Sequence, residues 1–434
     1  MTLPLRLRQL AYDLRENLLF RPAVLTICFA IVATMLPLWE SGPGARFSAT
    51  LAASFPIEAG SAQLVLGTLA GAMMTVVSVV YSILLVALSL ASIQFSTRIL
   101  ASFMRDRPAQ NTLGMLVGTF VYTLLVLRSV RTEPPWVPLF AVYGAIGLAL
   151  ASLGALVWFI HHLVRGIQAN HIIDRIAGEA ELVLDAVFTE PLAPGEEPSA
   201  PVDTRPPPGA VPVMALRSGY VQLVSVAELV RLAGGGRLVV VRGMGQFVVA
   251  GTPLAFWFGP RPISAAELDA AFDIGTARTM QDDAEWGLRQ IVDVGLKAIS
   301  PAVNDPSTGA TCIDHLGRLL VRVAARATPR GVHGPAGEVV VPTTCFGDLV
   351  RLAYEQMRQY GRGDMAVSLR ILRSLADLAE VVPHASGRAE LLHQGRLTWE
   401  GARKAFHELD CHELDARWQR LDGIISNARP QGSP

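Results

Sequence analysis

Residues with hydroxyl groups recur at a constant spacing inside one long apolar stretch, which runs from Leu64 to Ile93. Threonine or serine stands at every seventh position, and small residues follow three places after most of these positions. The full set is Thr68, Gly71, Thr75, Ser78, Ser82, Ser89, Ser92 and Ser96. A seven-residue repeat places its members on one face of an α-helix. Because polar atoms are costly in contact with lipid tails, this face is expected to contact protein or water.

This polar face has two interpretations that the sequence leaves open. In the first it is a packing surface, since small residues let helix backbones approach and hydroxyls bond across helices or to their own backbone. In the second, copies of the helix surround an aqueous pathway and the hydroxyl groups line it. Both interpretations give the helix a partner. The face carries no ring of acids or bases, so it predicts no preference for cations over anions.

The densest polar segment of the chain lies between Ala277 and Leu316. Its candidate binding groups are Asp282, Asp283, Arg289, Asn304, Asp305 and Asp314. Pro301 is expected to end one helix, and Asp305 with Pro306 is expected to cap and begin the next. We interpret the segment as a sharp helix-turn-helix whose polar groups satisfy one another. The alternative is a site on the turn, where paired acids beside a helix start would hold a cation.

Motifs of familiar enzyme classes are missing from the sequence, which has no G-x-S-x-G, no H-E-x-x-H and no Walker lysine. The four cysteines are far apart and form no C-x-x-C pair, which argues against a zinc finger or a disulfide framework. We therefore expect no enzyme activity, no metal and no cofactor. A membrane-anchored enzyme remains the last alternative. Basic and acidic residues are equal in number, 37 each, so nucleic acid is not an expected partner.

Four apolar runs must position these residues, over 22–39, 64–93, 112–127 and 137–160. The third run is the shortest for crossing a bilayer, which takes about 20 apolar residues. Arginines flank the runs unequally when the N terminus is placed inside. The inner flanks hold Arg6, Arg8, Arg15, Arg21, Arg98, Arg105, Arg107, Arg165 and Arg175, and the outer flanks hold Arg46, Arg128 and Arg131. This distribution predicts a multi-pass membrane protein with both termini in the cytoplasm.

Changes of composition divide the chain into four parts. These are a transmembrane region over 1–188 whose last helix extends into the cytoplasm, a Pro-rich linker over 189–210, a small β-rich module over 211–262 and a helical cytoplasmic domain over 263–434. The helical domain is expected to open with helices over 264–274 and 276–298. The predicted fold is a mostly α membrane protein, with a four-helix transmembrane region and a cytoplasmic α+β part.

Two long segments carry a resemblance to a known family. They are SVVYSILLVALSLASIQFSTRIL in the second apolar run and QDDAEWGLRQIVDVGLKAISPAVNDPSTGATCIDHLGRLL in the polar segment. Both resemble the bacterial predicted-membrane-protein family known as domain of unknown function number 2254. The resemblance implies a protein of the bacterial inner membrane with an N-terminal helical membrane region and a cytoplasmic part. It transfers no catalytic residues.

The favoured functional hypothesis is an oligomeric inner-membrane protein, with the lipid bilayer and further copies of the same chain as partners. The long second helix would line a channel for ions or small solutes, and the cytoplasmic domain would gate or assemble it. The alternative is a non-conducting membrane scaffold or sensor whose cytoplasmic module binds a partner or ligand. In that case the hydroxyl groups only pack helices.

Overall fold

The computed structural model describes residues 19–94, 107–166, 168–193, 195–335 and 338–427. The chain divides into two compact units, Met1–Gln168 and Ala169–Pro434. We call the first the membrane unit and the second the C-terminal unit. Each unit has hydrophobic clusters of its own, as expected for separate domains.

The membrane unit is built from helices joined by short connections. In chain order they are α1 (Phe20–Ser41), α2 (Ala45–Ser54), α3 (Ala59–Gln94), α4 (Arg107–Ser129) and α5 (Leu139–Gly166), with a hairpin of β1 (Arg131–Thr132) and β2 (Pro135–Trp136) between α4 and α5. Helices α1, α3, α4 and α5 are long and apolar enough to cross a membrane, which confirms the four predicted spans. The 36 residues of α3 extend about 54 Å, well beyond the hydrocarbon core of a bilayer.

Helix α4, which contains the shortest predicted span, lies at the centre of the membrane unit. It contacts α1, α3 and α5. In the 18-residue apolar stretch of each helix, 50% of the residues are buried in α4, compared with 17% in α1 and in α3. Glycine permits this packing, because a Cβ at Gly114 would lie 2.9 Å from the Cα of Pro22 in α1. The buried hydroxyls of Thr119 and Ser152 lie 2.9 Å apart and join α4 to α5.

The fourth membrane helix does not continue to Phe188, as the sequence had suggested. Helix α5 ends at Gly166, Gln168 is not helical, and a separate helix α6 (Ala169–Val187) begins the C-terminal unit. The apolar periodicity is helical on both sides of this break, so the periodicity alone did not reveal it. Gly166 is a poor helix former at the point where the first helix ends.

The C-terminal unit combines two sheets with a bundle of helices. Its remaining elements are β3 (Val211–Met214), β4 (Gly219–Val224), α7 (Val226–Ala233), β5 (Arg237–Val240), β6 (Phe247–Val248), β7 (Pro253–Phe258), α8 (Ala265–Asp269), β8 (Phe272–Gly275), α9 (Ala284–Ala298), α10 (Pro306–Val323), β9 (Val332–His333), β10 (Val339–Val340), α11 (Phe346–Gly361), α12 (Met365–Val381), α13 (Ala385–Arg403) and α14 (His412–Asn427). Helix α10 contacts α6, α9, α11 and α12 and forms the centre of the bundle.

The β module is larger than the predicted span 211–262. One sheet has the order β3-β7-β5-β10-β9, in which β10 from the helical region pairs parallel to β5, and the other has the order β6-β4-β8. The helix expected over 264–274 is the short helix α8 followed by strand β8. The helix expected from residue 276 begins at Ala284, because Asp283 caps its first turn.

The Pro-rich segment 189–210 does not join the two units, because it lies wholly within the C-terminal unit. The backbone N–H of Leu192 donates to the carbonyl of Ala325 at 2.9 Å. The carboxylate of Glu197 accepts from the N–H groups of Ala385 and Ser386, at 2.6 and 3.1 Å, and so caps the start of α13. The segment is therefore held against the helical bundle by its own hydrogen bonds.

Candidate functional site

The polar face of α3 points away from the described residues of its own chain. Its described members are all exposed, namely Thr68, Gly71, Thr75, Ser78, Ser82 and Ser89. The buried residues of α3 are Ala62, Leu66, Ala70, Met73, Val80 and Ala87. At about 100° of rotation per residue the two sets lie on opposite sides of the helix. The side chain of Ser92 and the whole of Ser96 lie outside the described residues.

Four hydroxyl groups of this face donate to the backbone one turn earlier in the same helix. The hydroxyl of Thr68 donates to the carbonyl of Leu64 at 2.7 Å, and that of Thr75 to Gly71 at 3.0 Å. Ser78 and Ser82 donate in the same way, at 2.9 and 3.0 Å. Each oxygen then retains lone pairs that can accept a hydrogen bond or face a cation. Because these four hydroxyl donors are already used, their oxygens are available to the surroundings as hydrogen-bond acceptors.

The same face leaves the helix backbone uncovered at its glycine. A Cβ built at Gly71 would meet no atom of the described residues within 4 Å. Small residues at such positions let a second helix pack at short distance. The polar face can therefore pack closely against another helix or border a water-filled space. Neither contact requires the described part of the chain to rearrange.

The candidate polar groups between Asp282 and Asp314 do not form one site. Asp283 lies at the start of α9 and Asp305 follows its end, and the 15 residues of this helix span about 22 Å. Asp283 is buried, accepts from the N–H of Trp286 at 3.1 Å and forms two 2.9 Å hydrogen bonds with Arg278. Burial raises the pKa of this carboxyl, while Arg278 and the helix amides pull it down.

The other members of this set hold neighbouring helices in place. Asp305 caps α10 by accepting from Thr308, from its N–H at 3.1 Å and from its hydroxyl at 2.6 Å, which holds the pKa of Asp305 below its usual range. Arg289 pairs with Asp293 at 3.0 Å and donates to Gln356 at 2.7 Å.

Asp314 on α10 pairs with Arg370 on α12 at 3.1 Å. Asp282 and Asn304 are exposed and have positive φ angles, 55° and 52°. Within the described ranges, no group of three His, Cys, Asp or Glu residues is arranged to hold a metal ion. The geometry of this segment is that of helix capping and helix pairing.

A row of ion pairs fastens α6, the first helix of the C-terminal unit, to α10. Arg318 pairs with Glu181 at 2.7 Å and with Asp174 at 2.8 Å, and the Nε of Arg322 donates to Asp185 at 3.0 Å. The pairs Arg318–Glu181 and Arg322–Asp185 share a sequence separation of 137, so the two helices run parallel. The Arg322 guanidinium holds the pKa of Asp185 below its usual range. Sequence periodicity did not reveal this long-range pairing.

A buried carboxylate at the other end of the chain was also missed from the sequence. Glu40, at the end of α1, is 2% exposed and accepts from the N–H groups of Phe140 and Ala141, at 3.1 and 2.9 Å. The hydroxyl of Ser48 donates to the same carboxylate at 3.2 Å. Glu40 therefore caps the N terminus of α5 from another helix. The available signal was a lone acid at the end of an apolar run, but its partner lies 100 residues away.

Four helices of the chain are long and apolar enough to cross a membrane, which defines its class as that of predicted membrane proteins, and its sequence places it within one family. It belongs to the DUF2254 family, described as predicted membrane protein, whose model matches residues 15–377. A relative from Mycobacterium tuberculosis H37Rv is 33% identical over 363 residues, which cover 80% of this chain and 69% of the relative. A relative from Mycobacterium bovis matches to the same extent, and both are described as uncharacterized proteins. No solved structure matches the chain.

Proposed function

We propose that the protein is a homo-oligomeric channel of the bacterial inner membrane, in which the polar face of α3 from several copies lines a pathway for ions or small solutes. One observation carries this proposal. From Thr68 to Ser89 the face extends over about six turns of α3, and it points away from the other described helices of its own chain. Burying it against lipid would be unfavourable, whereas a second copy or a water column would match its chemistry.

The C-terminal unit has the role of a gate or an assembly platform in this proposal. Its first helix, α6, begins three residues after α5 ends and is tied to the centre of the bundle by the ion pairs of Arg318 and Arg322. A displacement of the bundle would therefore pull on the chain next to the last membrane helix. The unequal flanking arginines support a cytoplasmic position for both termini.

Cross-linking between copies tests the oligomeric part of the proposal. In a Cys28→Ser background, which removes the exposed natural thiol, Thr75→Cys should give dimers with a short bifunctional thiol reagent in membranes. Met74→Cys is the matched control, because Met74 is 52% exposed at almost the same depth but lies about 100° away around the helix. Equal cross-linking at both positions, or at neither, would contradict a specific α3 interface.

A non-conducting scaffold is the second candidate, and one observation favours it. The hydroxyls of Thr68, Thr75 and Ser82 already donate to their own backbone, which lowers the cost of a dry helix interface. Alanine at Thr75, Ser82 and Ser89 distinguishes the two candidates. If the face only packs helices, the triple alanine variant should keep the oligomer size of the wild type, and neither protein should conduct ions. A pathway should keep its oligomer and change its conductance.

A further inference from the structure

A large cavity lies at the end of the membrane unit where the α1–α3 and α4–α5 connections meet. Its volume is about 1160 Å³, and it is lined by the ends of α1 and α4, by α2 and by the β1–β2 hairpin. Much of its wall is apolar and continues the surface of the membrane helices, including Ala33, Leu38, Ala49, Ile57, Leu125 and Trp136. This volume exceeds the usual range for ligand pockets, which is about 300–1,000 Å³.

Two arginines, Arg128 and Arg131, also line this cavity. Both are exposed, and neither guanidinium forms an ion pair with another described residue. They are two of the three arginines on the flanks that the positive-inside rule assigns to the outer side, where arginine is disfavoured. Two unpaired guanidinium groups at one apolar cavity form a site suited to phosphate, which arginine binds through paired N–H donors.

The two acids that line the cavity form no ion pair with Arg128 or Arg131. The carboxylate of Glu40 is buried and already accepts from the first amides of α5 and from Ser48. Glu58 is the other acidic residue of the wall, and it is exposed to solvent. An anionic group at Arg128 and Arg131 therefore meets two exposed cations, the solvated carboxylate of Glu58 and the buried, hydrogen-bonded carboxylate of Glu40.

We propose that this cavity binds a phosphate-bearing amphiphile, with the phosphate on Arg128 and Arg131 and the hydrocarbon part on the apolar wall. The location supports this class of ligand, because the cavity is at the end of the membrane helices and the surrounding bilayer consists of such molecules. The site is separate from the polar face of α3. The proposed binding therefore does not depend on whether the protein conducts ions.

The test uses the full chain purified in a neutral detergent, with ligand binding followed by native mass spectrometry. Four probes are added: phosphatidylglycerol, phosphatidylethanolamine, diacylglycerol and inorganic phosphate. Either phospholipid should bind, while diacylglycerol and inorganic phosphate should bind weakly, since each supplies only half of the contacts. Equal binding of diacylglycerol would overturn the role of the arginines. Equal binding of inorganic phosphate would overturn the role of the apolar wall and leave a site for free phosphate.

Variants locate the binding in this cavity. The double variant Arg128→Gln/Arg131→Gln should weaken phospholipid binding about tenfold or more, because it removes charge-assisted hydrogen bonds. Arg46→Gln is the matched control. Arg46 is an exposed arginine on helix α2, but its own side chain does not line the cavity. Ala49→Trp, which fills the apolar part, should weaken phospholipid binding without changing charge. Wild-type affinity in the double variant, or in Ala49→Trp, would overturn the proposal.

Discussion

Three carboxylates of this protein stabilise the first turns of helices. Asp283 caps α9, Asp305 caps α10 and Glu40 caps α5. The sequence predicted Asp305 correctly, because an acid followed by proline is a local helix-start signal. It gave no indication of the Glu40 contact, since a carboxylate that caps a helix 100 residues away leaves no local pattern. Caps made by neighbouring residues can be predicted from sequence, and caps made across the fold cannot.

Removing the Asp305 cap should loosen the start of α10. We expect Asp305→Ala to lower the protection of the first-turn amides of α10 by about fivefold, the equivalent of about 1 kcal/mol for a helix cap. Asp305→Asn should retain most of the protection, because asparagine also accepts from the N–H of Thr308. Hydrogen exchange of the full chain measures both. Unchanged protection in Asp305→Ala would show that the cap contributes little.

The charge of Asp305 adds a pH dependence with a defined sign. Thr308 holds the folded-state pKa of Asp305 below its unfolded value of about 3.9. The stability that ionisation contributes is therefore fully present above about pH 4 and is lost as the pH falls through the folded pKa. The difference in protection between wild type and Asp305→Asn should shrink in that acidic range. A difference that grows on acidification would contradict this sign.

At the scale of elements, periodic helices were predicted and long-range partners were not. The four membrane spans and helices such as α10 and α12 follow from apolar periodicity and local caps. The break at Gln168 separates two helices that both show helical periodicity of apolar residues, so this periodicity did not reveal the break. The parallel pairing of strand β10 with β5 joins residues about 100 positions apart, which no local pattern indicates. The sequence showed the polar face of α3, and only the fold showed that it points outward.

The ion pairs between α6 and α10 give a prediction at this scale. Arg322→Glu should lower the unfolding temperature of the full chain in low salt, because it places like charges opposite Asp185. Adding Asp185→Arg should restore it by reversing the pair. The lowering of the unfolding temperature by Arg322→Glu should become small near 1 M salt, where the screening length falls to about 3 Å.

The control for this experiment is Arg242→Glu, which reverses an exposed charge that has no ion pair among the described residues. It should leave the unfolding temperature close to that of wild type at both salt concentrations. If the Asp185→Arg/Arg322→Glu variant remained as destabilised as Arg322→Glu alone, the loss would not come from this ion pair.

At the scale of the whole molecule, a membrane unit with an outward polar face is joined to a C-terminal unit of sheets and helices. The membrane assignment rests on four apolar helices and on membership of a predicted-membrane-protein family. The proposed pathway follows from one property of the described part of the chain, in which α3 is covered on its apolar face and uncovered on its hydroxyl face. Such a helix has its complement in another copy or in water.

Ion flux through liposomes that contain the purified protein tests this claim most directly, in salts that differ in cation and in anion. We expect the wild type to conduct and Ser82→Phe to block flux, because the bulky ring would occupy the proposed pathway. Met74→Phe, an equally bulky change at an exposed position off the polar face, should conduct like the wild type. Absence of wild-type flux in every salt, or unaltered flux in Ser82→Phe, would contradict a pathway lined by α3.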